Sequence, residues 1–109
     1  TKWWITNMKN TNSHDAIYSF ARALIVLLYE RIYEHWYPED PSKGSGYRAI
    51  INDFHVDPIL IRACKIANVD PNCLPGQVVQ IVSPGMVRVR SLANESMEQI
   101  IYSEKPLFL

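Results

Sequence analysis

The stretch with the strongest chemical suggestion is His35–Ile50, HWYPEDPSKGSGYRAI, which crowds an aromatic triplet, two prolines, one lysine and two glycines together. Its KGSG segment invites a phosphate-binding reading. A P-loop places four residues between its first glycine and a Gly-Lys-Ser/Thr, after a strand and before a helix. Here Lys43 precedes the glycines, a helical pattern comes before the loop and a strand pattern follows. Order and context are both reversed. The glycines therefore read as turn residues, open to conformations that a Cβ forbids.

The remaining polar residues do not converge on a reaction. His14, His35 and His55 are scattered, with no His/Cys/Asp cluster at metal-ligand spacing. His35, beside Trp36 and Tyr37, reads as a capping or packing histidine. Glu39 and Asp40 are adjacent carboxylates that a solvated loop explains better than acid–base catalysis. No serine or cysteine sits in a nucleophile motif, so no enzyme active site is visible and neither a cofactor nor a metal is implied. Lys43, Arg48, Arg88 and Arg90 are candidate RNA contacts. In MVRVR the two-residue strand period puts Arg88 and Arg90 on the face opposite the valines, which is also how an ordinary solvated face reads.

The 109 residues suit one domain with one core, spanning 1–109, and 48% apolar with 20% charged residues is an ordinary soluble globular composition. The start at Thr1 suggests an N-terminal domain excised from a longer protein. Eleven basic residues balance eleven acidic ones, without the basic surplus that tight non-specific nucleic-acid binding needs. Cys64 and Cys73 form no disulfide framework and read as free buried thiols of a nuclear or cytosolic protein. Asn94-Glu95-Ser96 matches a glycosylation acceptor, but nothing else signals secretion. The apolar run ALIVLLY is too short to span a bilayer.

These residues need elements to hold them. TKWWITNMK fits one or two helical turns with Trp3 and Trp4 seeking burial. Ser13 or Asp15 can cap a helix running to about Trp36, with Ile17, Phe20, Ala21, Leu24, Leu27, Leu28 and Ile32 at core spacing. Ala23, Ile25, Val26 and Tyr29 leave its other side apolar as well, so that side needs cover from the N-terminal segment or another subunit. Pro38 and Pro41 end the helix. YRAII reads as a strand, and Asp57-Pro58 opens a second helix whose apolar residues are Ile59, Ile61, Ala63, Cys64, Ile66 and Ala67. QVVQIVS, a Pro84-Gly85 turn, MVRVRS and EQIIYS then alternate as a small antiparallel sheet. The predicted class is α+β, with helices packed on one face of that sheet.

The string HWYPEDPSKGSGYRAI resembles the first signature box of the BTG/Tob anti-proliferative family. VDPILIRACKIANVD resembles that family's Val-Asp-Pro helix, and LPGQVVQIVSPGMVRVR its second box, over about residues 17–102 in all. The resemblance implies an adaptor rather than an enzyme. Its members bind the exonuclease subunit of the cytoplasmic deadenylase complex and so recruit poly(A) shortening to mRNAs. The partner-facing positions implied are Tyr47 in the first box and Ile81, Ser83, Pro84 and Gly85 in the second. The family's second box carries Trp, Asp and an aromatic where this chain has Ile81, Ser83 and Gly85. Aromatic anchors often carry about 2 kcal/mol or more at an interface, so this face has lost one. Ile25, Val26 and Tyr29 stand where typical members carry charged residues on the long helix, and with Ala21 they are the expected surface of a homodimer or larger assembly. The expected role is post-transcriptional control of cell fate or proliferation in cytoplasm and nucleus, by a lineage-specific invertebrate member such as one acting in the germline. The rival is an RNA-binding assembly that multiplies a weak arginine patch by avidity.

Overall fold

Ser13 opens the long helix, α2 (His14–Ile32), because its side-chain oxygen accepts the Ala16 N–H at 3.1 Å. Asp15 stands in the first turn, where a negative charge favours the helix dipole. The computed structural model describes residues 1–9, 12–94 and 97–104. Glu95 and Ser96 of the acceptor triplet, and the last five positions of the 1–109 unit, lie outside the described residues. All seven residues of the expected stripe on α2 are buried or half-buried, with Phe20 and Leu24 fully so. The helix stops at Ile32, earlier than Trp36, and Tyr33–His35 tighten into a 3-10 turn.

Before α2 lies α1 (Lys2–Asn7), which buries Trp4 against the core. The Trp4 indole N–H donates to Gln80 at 2.8 Å, so a buried polar pair ties the first helix to the sheet. Asp57 caps α3 (Pro58–Ala67) by accepting the Ile59 N–H at 3.1 Å, with proline in the first turn and Asn68 closing the helix in the left-handed region. The buried side of α3 is Leu60, Ala63, Cys64 and Ala67. Ile61 and Ile66, counted from sequence among its apolar residues, face outward instead, since they sit off the Leu60–Cys64–Ala67 row. Cys64 and Cys73 are buried free thiols, and burial pushes the Cys64 thiol up to about 11.

The strands β1 (Ala49–Asn52), β2 (Val78–Ser83), β3 (Met86–Ser91) and β4 (Glu98–Ser103) form one antiparallel sheet in sequence order. The pairings Ile50↔Gln80 and Gln80↔Val89 place all three residues on one face. Ile50, Gln80 and Val89 are buried on that helix-covered side, and the class is α+β as expected. The expected strand YRAII begins late: Tyr47 and Arg48 belong to a 3-10 turn, Ser45–Arg48. No helix among the described residues is long and apolar enough to cross a membrane.

Arg31 on α2 fixes the position of α3. Its guanidinium grips both carboxylate oxygens of Asp57, one at 3.0 Å, and also donates to the Ala49 carbonyl at 3.2 Å. One side chain thus joins α2, β1 and the cap of α3. Burial pushes the Asp57 carboxyl up, but hydrogen bonds from Arg31 and Ile59 and the guanidinium charge outweigh it, holding the group below its ordinary range. With a lowered folded-state pKa, the pairing stabilises the domain above the unfolded carboxylate pKa of ~4 and is lost as pH falls through the folded value. Asp57→Asn is expected to cost about 3 kcal/mol in urea unfolding at neutral pH. The gap to the unsubstituted domain should narrow as pH drops below ~4; a constant gap down to pH ~2 contradicts the assignment.

Candidate functional site

The loop from Trp36 to Arg48 carries few contacts of its own to the core, and one side chain gives it shape. Arg48 is wholly buried. A guanidinium has five N–H donors, and here each finds a neutral oxygen. Nε donates to the His35 carbonyl at 3.1 Å, Nη2 to the carbonyls of Pro41 and Lys43 at 2.6 and 2.8 Å. Nη1 donates to the Val82 carbonyl and to the Ser83 hydroxyl at 3.0 Å. No carboxylate among the described residues pairs with it, and burial pulls its pKa below the ordinary arginine value. This corrects the reading of Arg48 as an RNA contact, because a side chain sealed in the loop cannot reach a phosphate backbone.

The consequence of that clamp is a composite face. Three of the bonds hold the loop at His35, Pro41 and Lys43; the other two hold the end of β2 at Val82 and Ser83. The two sequence boxes are therefore bonded to each other through one residue. Gly44 makes the loop reversal at φ 73°, where a Cβ would lie 3.2 Å from the Tyr37 ring. Gly46 has no such need: its φ is ordinary and the space beside it is open. Lys43 stacks its ammonium over Tyr37 at 4.6 Å.

Between loop and turn runs an open groove of about 570 Å³, lined by Trp36, Pro38, Pro41, Ser83, Pro84 and Met86, among others. Ser83, Pro84 and Gly85, three of the implied second-box positions, line this groove. Tyr47 lies outside the groove wall, 58% exposed, its ring stacked on His35 with centroids 3.7 Å apart. Ile81 is half-buried on the uncovered sheet face, between Ala49 and Arg88 in register. Trp36 is 40% exposed on the groove wall.

The other candidates separate. Arg88 and Arg90 do share the uncovered face, but both reach Glu98, at 3.9 and 3.5 Å, which offsets part of their charge. Lys43 sits on the loop and not on their strand. On α2, Ala21 is half-buried while Ile25, Val26 and Tyr29 are 56%, 55% and 66% exposed. With Tyr18 and Tyr33 they form an apolar row that α1 leaves uncovered.

Comparison with known proteins places this geometry. A model of the BTG family matches residues 3–101. Human protein BTG2 is 38% identical over 92 residues, 81% of this chain and 58% of that protein. Human protein BTG3 is 47% identical over 53 residues, covering 47% of this chain and 21% of that protein. The chain therefore spans well under two thirds of the length of either relative. Among solved structures, the C. elegans FOG-3 BTG/Tob domain superposes with a TM-score of 0.78 at 21% identity, covering 88% of this chain and 78% of that one. That likeness is one of fold.

Removing the clamp leaves buried carbonyls without donors. Arg48→Gln is expected to destabilise the domain by at least about 3 kcal/mol in urea unfolding, at roughly 1–3 kcal/mol for each orphaned buried group. Arg48→Lys, with three donors on a flexible stem, should recover less than half of that. A loss below about 1 kcal/mol in Arg48→Gln would show that the loop holds its shape without the guanidinium.

Proposed function

The chain belongs to the BTG family, and from that premise we propose that it is a protein-interaction adaptor which recruits the deadenylase machinery to mRNAs. The observation that supports this reading is the Arg48 clamp, which presents Tyr47 and the Ser83–Gly85 turn as parts of one rigid surface. A surface ordered before binding loses less entropy on association. The partner is the exonuclease subunit of the deadenylase complex, met by the Tyr47 ring and the turn. The outcome is anti-proliferative or cell-fate control, germline fate included, in cytoplasm and nucleus, without catalysis by this domain.

Self-association is a second part of the proposal, favoured by the exposed row of Tyr18, Ile25, Val26, Tyr29 and Tyr33. Tyr29 and Tyr33 are already stacked on each other, with centroids 5.7 Å apart, so burying them costs little further ordering. The direct RNA-binding rival is left with Lys43, Arg88 and Arg90, two of which share one carboxylate. Salt-sensitive RNA binding lost in an Arg88→Glu/Arg90→Glu variant would favour it.

Capture by the deadenylase exonuclease subunit tests the adaptor reading. Tyr47→Ala should weaken binding at least ~10-fold, and Ile81→Trp should tighten it by restoring an aromatic anchor. If Ile81→Trp leaves affinity unchanged, the assignment of the second box is wrong. Light scattering tests the assembly: at micromolar concentration the domain should be larger than a monomer, and Ile25→Glu should return it to one. A monomer unaffected by Ile25→Glu ends that part.

A further inference from the structure

We infer that Ser83 is a phosphorylation site for a proline-directed protein kinase, and that Arg48 and Arg88 neutralise the phosphate it receives. The inference goes beyond the adaptor reading and stands without it.

Ser83-Pro84 is the one place in the chain where serine or threonine precedes proline. The other six prolines follow Tyr37, Asp40, Asp57, Asp70, Leu74 and Lys105. A proline directly after the acceptor is the feature such kinases select. Ser83 ends β2, paired with Met86, and Pro84 opens the β2–β3 turn; Ser83 is half-buried and lines the open groove.

What makes the position unusual is its neighbour. Arg48 Nη1 already donates to the Ser83 hydroxyl at 3.0 Å. The same guanidinium is buried among carbonyls with no carboxylate among the described residues to balance its charge. An isolated buried cation is costly, and a phosphate added here would bring roughly 1.5–2 negative charges to it. Arg88 lines the same groove and could contribute a second cation, released in part from Glu98, which it meets only at 3.9 Å. Ser42 and Ser103 line the groove too, and Glu104 is the acidic group of the lining. Glu104 lies against Gly85, at the turn end, so the favourable side for phosphate is toward Arg48 and Arg88. The groove volume of about 570 Å³ leaves room for a phosphoryl group.

The reaction is ordinary phosphoryl transfer. The Ser83 oxygen forms a bond to the γ-phosphorus of ATP, the bond from that phosphorus to the bridging β,γ-oxygen breaks, and ADP leaves. The hydroxyl proton passes to the base of the kinase. Afterwards an ionised phosphate oxygen faces the Arg48 guanidinium where a neutral hydroxyl now accepts from it, so both partners of the bond are charged.

The test uses the folded domain, Mg-ATP and a cyclin-dependent kinase as the proline-directed probe, with intact mass and peptide mapping as readouts. One phosphate is expected, on Ser83, and none in Ser83→Ala. The phosphorylated domain should melt about 3–6 °C higher, and Arg88→Gln should cut that gain by half or more. Ser83→Asp, which needs no kinase, should also raise the Tm. Absence of phosphate on Ser83 in the folded domain overturns the modification site. A Tm that is unchanged or lower, in the phosphorylated domain and in Ser83→Asp alike, overturns the role of the two arginines. Neither readout depends on deadenylase capture, so failure of one proposal is distinguishable from failure of the other.

Discussion

A guanidinium taken out of water must place all five N–H groups on acceptors or lose stability for each one left bare, and at Arg48 the acceptors come from two distant parts of the chain. His35, Pro41 and Lys43 belong to the loop; Val82 and Ser83 belong to the end of β2. The geometry of the loop, its seam with the sheet, the groove beside it and the exposure of Tyr47 all depend on that one set of bonds. The prolines and Gly44 make the path available, but proline and glycine only permit a turn, whereas Arg48 selects one. A hydrophobic side chain of the same length would fill the space and still orphan the carbonyls.

Much of the fold was legible because it rests on local periodicity. The α2 stripe, the Asp57-Pro58 start of α3 and the three strands after Gly76 all follow from apolar spacing, capping chemistry and turn residues. What periodicity could not show was the fate of polar and aromatic side chains whose partners lie far away in sequence. Arg48 sits in a strand-like string beside a tyrosine, which is how an exposed nucleic-acid contact also reads; its burial is decided by a carbonyl and a hydroxyl 34 and 35 positions distant. The same holds for the buried Gln80, whose side chain accepts from the Trp4 indole across 76 positions.

The candidate site was legible in part. Ser83, Pro84 and Gly85 do meet the first-box loop, while Tyr47 and Ile81 lie on surfaces next to the groove rather than in it. The two surfaces of the molecule then have different characters. The loop-and-turn face is ordered by a buried cation and mixes aromatic, proline and hydroxyl groups. The exposed row runs along α2 from Tyr18 to Tyr29, where Tyr33 of the following 3-10 turn stacks on Tyr29. The two faces are built on different elements, α2 on one side and the first-box loop with the β2–β3 turn on the other, so the partner capture and the self-association proposed for this chain would use separate surfaces.

The central claim is that the face built by Arg48 is the partner surface. Amide chemical-shift mapping of the isotope-labelled domain during titration with the deadenylase exonuclease subunit tests it most directly. The account predicts perturbations concentrated at residues 36–48 and 81–88, with the α2 row from Tyr18 to Tyr33 little changed. Perturbations confined to the α2 row, with the loop and the β2–β3 turn silent, would contradict it.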